Sequence, residues 1–210
     1  MAEAMALLMP TPQVAAMRAI AIDDACGPWS TAAPSAMPSS AAWSLFQRSV
    51  VAVDILLPIM RDLSGHSWES VAFYVRSGDV RTCLYRVESK HPIRYTIREG
   101  DLLPLLVGSG GRVLAAFSGE AGEPYETIRR TCLAVGDRDP ETAGVSAPVF
   151  GPGRVLLGAL TLAGPSTHVG AAFLQRMKRP LLEAAARATR AFGEDASMLE
   201  QACLAAEALP

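Results

Sequence analysis

Apolar residues first settle into a regular period near residue 44. Phe46, Val50, Val53, Leu57 and Met60 recur at steps of three or four, which predicts a helix reaching about Leu63. Ser44 and Gln47 have capping-box spacing, in which hydroxyl and amide each satisfy an orphan backbone N–H. Pro58 lies inside this span and is expected to kink the helix or open a new one. The period then changes to two. Val71, Phe73 and Val75 alternate, Ser77-Gly78-Asp79 supplies a turn, and Val80–Val87 is rich in β-branched and aromatic residues, so a hairpin is expected. Ile93–Arg98 reads as a third strand. The apolar stretch Leu102–Phe117 is broken by Gly108, Gly110 and Gly111, which predicts a helix over Ser109–Phe117 entered through a glycine-rich bend. Tyr125–Leu133 reads as a short helix with Ile128 and Leu133 inward.

Two short apolar runs follow, Gly144–Phe150 and Val155–Ala163, joined by Gly151-Pro152-Gly153-Arg154 as strand, turn and strand. Last comes Ala172–Phe192, with Phe173, Met177, Leu181, Ala184, Ala188 and Phe192 at helical spacing, Pro180 as an expected kink and Gly193 as its C-cap. Helix, three strands, helices, two strands, helix: this order predicts an α+β fold in two layers, an antiparallel sheet flanked by helices. Residues 1–43 are different. Pro10, Pro12, Pro28, Pro34 and Pro38 punctuate them, and Ser30–Ser40 has neither charge nor period, so a weakly ordered arm is expected.

Composition narrows the function classes. Half of the 210 residues are apolar and 19% are charged, which gives a substantial core without help from metal or disulfides. A formal charge of −2 argues against a broad positive face for nucleic acid. Cys26, Cys83, Cys132 and Cys203 show no paired spacing and read as free thiols of a reducing compartment, so a cytoplasmic location is expected. No apolar run is long enough to span a membrane.

Catalytic chemistry is scarce. His66, His91 and His168 each stand apart from any Cys or carboxylate at ligand spacing and read as surface or turn histidines, leaving no metal site or cofactor to assign. Gly108-Ser109-Gly110-Gly111 lacks the Gly-Lys-Ser/Thr ending of a phosphate loop; a tight turn or a small-anion cradle both fit it. Arg81, Arg86, Lys90, Arg94 and Arg98 read as the solvated face of a hairpin without the aromatic platforms of single-strand binders. Asp137-Arg138-Asp139 is either a charged loop or the rim of a pocket. Thr161, alone in an apolar strand, needs a hydrogen bond from local backbone or from a ligand.

Four segments in order carry a family likeness. Gly78-Asp79-Val80 through Tyr85-Arg86-Val87-Glu88-Ser89 comes first, then Leu103-Pro104-Leu105 with Gly111-Arg112-Val113-Leu114-Ala115-Ala116-Phe117. Ala147-Pro148-Val149-Phe150 with Gly153-Arg154-Val155 and Gly158-Ala159-Leu160-Thr161-Leu162-Ala163-Gly164-Pro165 follows, and Leu181-Leu182-Glu183-Ala184-Ala185 closes the set. Together these resemble the effector-binding domain of IclR-type transcriptional regulators over about residues 45–193.

The resemblance implies a GAF-like fold, no enzymatic activity, a small-molecule effector such as an organic acid, and dimers or tetramers. It divides the chain into an arm (1–43), a linker helix (44–63), an effector-binding domain (64–193) and a C-terminal tail (194–210). By position it implies ligand contacts from Leu106, Gly108, Ser109, Asp139, Val145, Ser146, Thr161 and Ala163, with the hydroxyls of Ser109 and Thr161 and N–H groups near Gly108 suited to a carboxylate. Departures are Arg112 for the usual Lys, Ala163 without a hydroxyl, a short Asp137–Ala147 loop and His168 for the usual Arg. A structural or interaction remnant with its pocket collapsed onto its own side chains is the alternative these departures favour, with a small enzyme ranking third. The family's winged helix-turn-helix has no counterpart in residues 1–43, whose only basic residue is Arg18. This chain alone is therefore expected not to bind DNA, and mixed dimers with a full-length regulator are conceivable partners.

Overall fold

The computed structural model describes residues 40–91 and 97–207, with side chains from residue 51 onward apart from those of Arg138 and Glu207. Residues 1–39 of the expected arm and most of the expected strand Ile93–Arg98 lie outside the described residues, and residues 40–43 are helical. The chain divides into two units, Met1–Asp54 and Ile55–Pro210. The element order is α1 (Ser40–Ser67), β1 (Ser70–Ser77), β2 (Val80–Val87), β3 (Leu102–Pro104), α2 (Gly108–Phe117), α3 (Tyr125–Thr131), β4 (Ala134–Asp139), β5 (Thr142–Gly151), β6 (Val155–Pro165), α4 (Ala171–Ala191) and α5 (Ser197–Glu207). Helix α1 is already helical at Ser44, so the capping-box pair does not open it, and it runs on through Pro58.

Six strands form one sheet in the order β3-β2-β1-β6-β5-β4, every pair antiparallel. Helices cover both faces, which makes three layers rather than the expected two. One face presents Val71, Phe73, Val145, Ala147, Val149, Leu160 and Leu162 to Leu56, Met60 and Leu63 of α1 and to Met177, Leu181, Ala184 and Ala188 of α4. Burial of this face is the main source of stability, roughly 1.5–3 kcal/mol for each large side chain. Helix α4 ends where expected: Gly193, at φ +86°, donates to Arg190 O, and Glu194 N donates to Thr189 O, a Schellman closure. The expected C-terminal tail carries α5, whose Leu199 and Ala202 join the same core.

The opposite face carries Ala72, Tyr74, Cys83, Ala134 and Ala159 against Val113, Leu114 and Ala116 of α2 and Ile128 of α3. Asp137 and Asp139, read as a loop or rim, belong to edge strand β4, where they face Ala143 and Thr142 of β5. Charged residues suit an edge because they discourage further strand pairing.

Candidate functional site

Between α2 and the second sheet face lies a cavity of about 50 Å³. Its walls follow from the strand register. Thr161 pairs with Ala72 and Ser146, and Gly144 pairs with Ala163 and Gly136, so one face presents a run of small side chains opposite the first turn of α2. Small residues there leave room that Val or Leu would fill.

Three hydroxyls cross this gap. Ser146 Oγ donates to Ser109 Oγ at 2.8 Å and lies 2.8 Å from Thr161 Oγ1. A serine has one proton to give, so Thr161 is the donor in the second bond. The chain of bonds runs Thr161 to Ser146 to Ser109 and leaves the Ser109 O–H as its terminal donor. All three residues are buried. Thr142 also lines the cavity, and its buried Oγ1 has no hydrogen-bond partner.

Glycines let the layers close. A Cβ on Gly110 would stand 2.8 Å from Thr161 Oγ1 and 3.1 Å from Tyr74 Cδ2, and one on Gly111 would stand 1.6 Å from Leu105 O. The start of α2 has an extended N-cap, Val107, with no side-chain cap, so its first-turn N–H groups have no capping acceptor from that residue. Arg81 pins the loop before it, donating from Nη1 to Pro104 O at 2.7 Å and to Val107 O. Its guanidinium also sits over the Tyr74 ring, 5.1 Å from the centroid.

Arg81 and Arg86 correct the expectation of a solvated basic face: both line the cavity, and the Arg86 side chain is only 6% exposed. The cause is a bulge. Phe73 pairs with Tyr85 but Tyr74 pairs with Cys83, so Leu84 is extra, and positions 81 and 86 fall on one face despite their odd separation. Arg86 donates to Ser70 Oγ at 3.0 Å and to Glu88 Oε1 at 2.8 Å.

Of the eight residues implied by the resemblance, Gly108, Ser109, Thr161 and Ala163 line the cavity, and Ser146 is bonded to two of them. Leu106 is instead 59% exposed, away from the cavity wall. Val145 faces the other layer, as period-two alternation beside Ser146 requires. Asp139 closes the β4–β5 turn by accepting from Glu141 N at 3.0 Å. Among the lining residues missed are Thr142, Gly144, Arg81 and Arg86.

The histidines also differ from expectation. His66 remains on the surface beside Asp62, at 3.3 Å. His91 and His168 instead converge on the buried carboxylate of Glu69. Cys83 and Cys132 are buried thiols, and burial pushes them up to about 12 and about 11.

No family model and no curated protein sequence matches this chain. Solved structures do. A protein from Silicibacter sp. TM1040 described as an IclR transcriptional regulator is 21% identical, with a TM-score of 0.63 over 72% of each chain. The C-terminal domain of the Escherichia coli transcriptional regulator KdgR is 17% identical, with a TM-score of 0.57 over 68% of this chain and 99% of that one. The C-terminal domain of a protein from Vibrio cholerae described as a transcriptional regulator is 27% identical, with a TM-score of 0.56 over 64% of this chain and 94% of its own. The fold is similar to that of the C-terminal domains of these transcriptional regulators. The likeness to structures described as IclR regulators is one of fold, carried in this chain by a six-stranded antiparallel sheet between helices. Among the described residues no helix is long and apolar enough to cross a membrane.

Proposed function

We propose that this chain is the ligand-sensing, self-associating domain of an IclR-type regulator, with a GAF-like pocket whose ligand is a small organic acid. The observation that carries this reading is the convergence of the Ser109 O–H, the unpartnered Thr142 hydroxyl and the first-turn N–H groups of α2 on one cavity. Arg81 and Arg86 line the same cavity, and their positive charge together with these donors is the environment a carboxylate needs. The volume sets the size. One water needs roughly 10–15 Å³ by the same kind of measure, so the space suits a molecule of a few non-hydrogen atoms.

Binding would act by population shift: a ligand that fits one subunit arrangement better biases the assembly by its difference in affinity. DNA reading is assigned to a separate module. A thermal-shift screen of short mono- and dicarboxylates on the purified chain tests the reading, since a selective ligand raises the melting temperature by mass action.

The small volume favours one second reading, a structural domain whose pocket its own side chains have filled. The same screen separates the two, because a filled pocket gives no selective shift with any acid.

A further inference from the structure

Away from the hydroxyl chain, three residues from three parts of the sequence meet at the start of β1. Glu69 Oε1 lies 3.2 Å from His168 Nδ1 and 3.5 Å from His91 Nε2, and the two imidazole rings are 4.8 Å apart. Glu69 is 2% exposed, while the His91 and His168 side chains are 36% and 34% exposed. A buried acid thus faces two rings with room to turn.

The backbone holds this geometry. Glu69 N donates to Ser67 Oγ, and Ser64 Oγ donates to Glu69 O at 2.9 Å, so the residue is fixed on both sides. Ser89 donates from Oγ to Trp68 O at 2.8 Å and accepts from His91 N at 3.0 Å, which ties the His91 loop to the same point. His168 N donates to Pro165 O in the turn leaving β6. A Cβ on Gly164 would stand 2.3 Å from Glu69 Oε2. Only glycine leaves that space.

Glu69 Oε2 is buried and has no hydrogen-bond partner. An orphaned carboxylate oxygen is costly unless something satisfies it. Two imidazole nitrogens facing Oε1 of one carboxylate suit a borderline divalent ion of the zinc type, which a carboxylate binding through both oxygens would share with Oε2, whereas magnesium and calcium prefer oxygen ligands throughout. The spacing agrees. Ligands bound at 2.0–2.2 Å in a tetrahedron stand roughly 3.3–3.6 Å from one another. The Glu–His distances of 3.2 and 3.5 Å are close to that spacing, and all three ligand atoms lie within 4.8 Å of one another, so it is chiefly the His–His separation that must close, by rotation of side chains that are partly exposed.

We propose that Glu69, His91 and His168 form a zinc-type divalent metal site, three protein ligands leaving a fourth position open to solvent. The site is separate from the hydroxyl chain, and it stands whether or not the cavity binds an organic acid. His168 occurs where the resemblance leads one to expect Arg, so the ligand set is a property of this chain.

Competition between the full chain and a chromophoric zinc chelator tests it, with circular dichroism to show that each variant is folded. One equivalent of Zn²⁺ is expected to bind with micromolar or tighter affinity, with no competition from Mg²⁺. Loss of an outer-shell partner already costs about 10–100-fold in metal affinity, so Glu69→Gln should lose at least about tenfold and the double variant His91→Ala/His168→Ala more. The double variant changes only partly exposed side chains and keeps the test decisive if Glu69→Gln fails to fold. Co²⁺ loading should give visible bands without thiolate charge transfer. Unchanged affinity in the double variant, a need for millimolar zinc, or a cobalt–thiolate band placing the ion on a cysteine would each overturn the proposal.

Discussion

Ser146 on β5 donates to Ser109 in the first turn of α2 across 2.8 Å, a bond spanning 37 positions of sequence. It ties a sheet to the helix that closes the cavity above it, and Thr161 donates into the same oxygen from the neighbouring strand. Ser146→Ala removes both bonds and strands two buried hydroxyls. A loss of about 1–3 kcal/mol is expected, read as a lower midpoint in urea denaturation. A midpoint unchanged from wild type would mean that the chain of hydroxyls holds nothing together.

Thr142 gives the opposite sign. Its buried hydroxyl has no partner, so Thr142→Val removes an unsatisfied group at nearly constant size. Unliganded stability should hold or rise by up to about 1 kcal/mol, whereas affinity for an acid in the cavity should fall. A clear destabilisation in thermal melts would show that the hydroxyl is satisfied in solution and is not reserved for a ligand.

The two neighbouring glycines of α2 should differ in a stated order. The nearest obstacles to a Cβ on Gly110 are side-chain atoms of Thr161 and Tyr74, while Gly111 meets the Leu105 carbonyl of the backbone. Gly110→Ala should cost about 1–3 kcal/mol by overpacking, and Gly111→Ala more, because the loop held by Arg81 must move. Equal melting temperatures for the two variants would refute the close approach at Gly111.

The strand register explains how much of this was legible. Hydrophobic period and turn residues locate β1, β2, β5, β6 and α4 within a few positions, because each has a strong pattern and a glycine-marked end. The two-layer expectation fails because alternation in β5 and β6 shows the Val145 and Leu160 side as core but reads the small residues opposite them as neutral. They are the second buried face. A bulge at Leu84 reverses the alternation within β2 and turns Arg81 and Arg86 to the same buried face, where the sequence reads as the solvated face of a hairpin. Thr161 stands out as a lone hydroxyl in an apolar strand, but it is the family likeness that groups it with Ser109 and Ser146; spacing alone could not join residues on a helix and two strands. Glu69, His91 and His168 were invisible for the same reason: the ligand spacing exists only in three dimensions.

Thiol chemistry gives a pH prediction whose sign is fixed by burial. Cys83 titrates at about 12 and Cys132 at about 11, both raised by burial from the ordinary value of 9.0. The unfolded chain then releases these protons first, so stability is full below pH 9 and falls between pH 9 and the folded values. The slope is at most about 1.4 kcal/mol per pH unit for each thiol. Equilibrium unfolding at pH 8, 9 and 10 should show the decline, reduced in Cys83→Ala relative to that variant's own value at pH 8. Peptide mapping after brief alkylation at pH 8 should find Cys203 modified ahead of Cys83 and Cys132, since Cys203 is only partly buried. Early labelling of Cys83 would contradict the packing of the second face.

Calorimetric titration of the wild-type chain, Ser109→Ala and Thr142→Val with the best acid from a short-carboxylate screen tests the central claim most directly. The account predicts one-to-one binding to wild type. It predicts at least about a tenfold weaker affinity in each variant, the loss of roughly one charge-assisted hydrogen bond. Absence of binding by every short carboxylate, or an affinity that neither substitution changes, would contradict it.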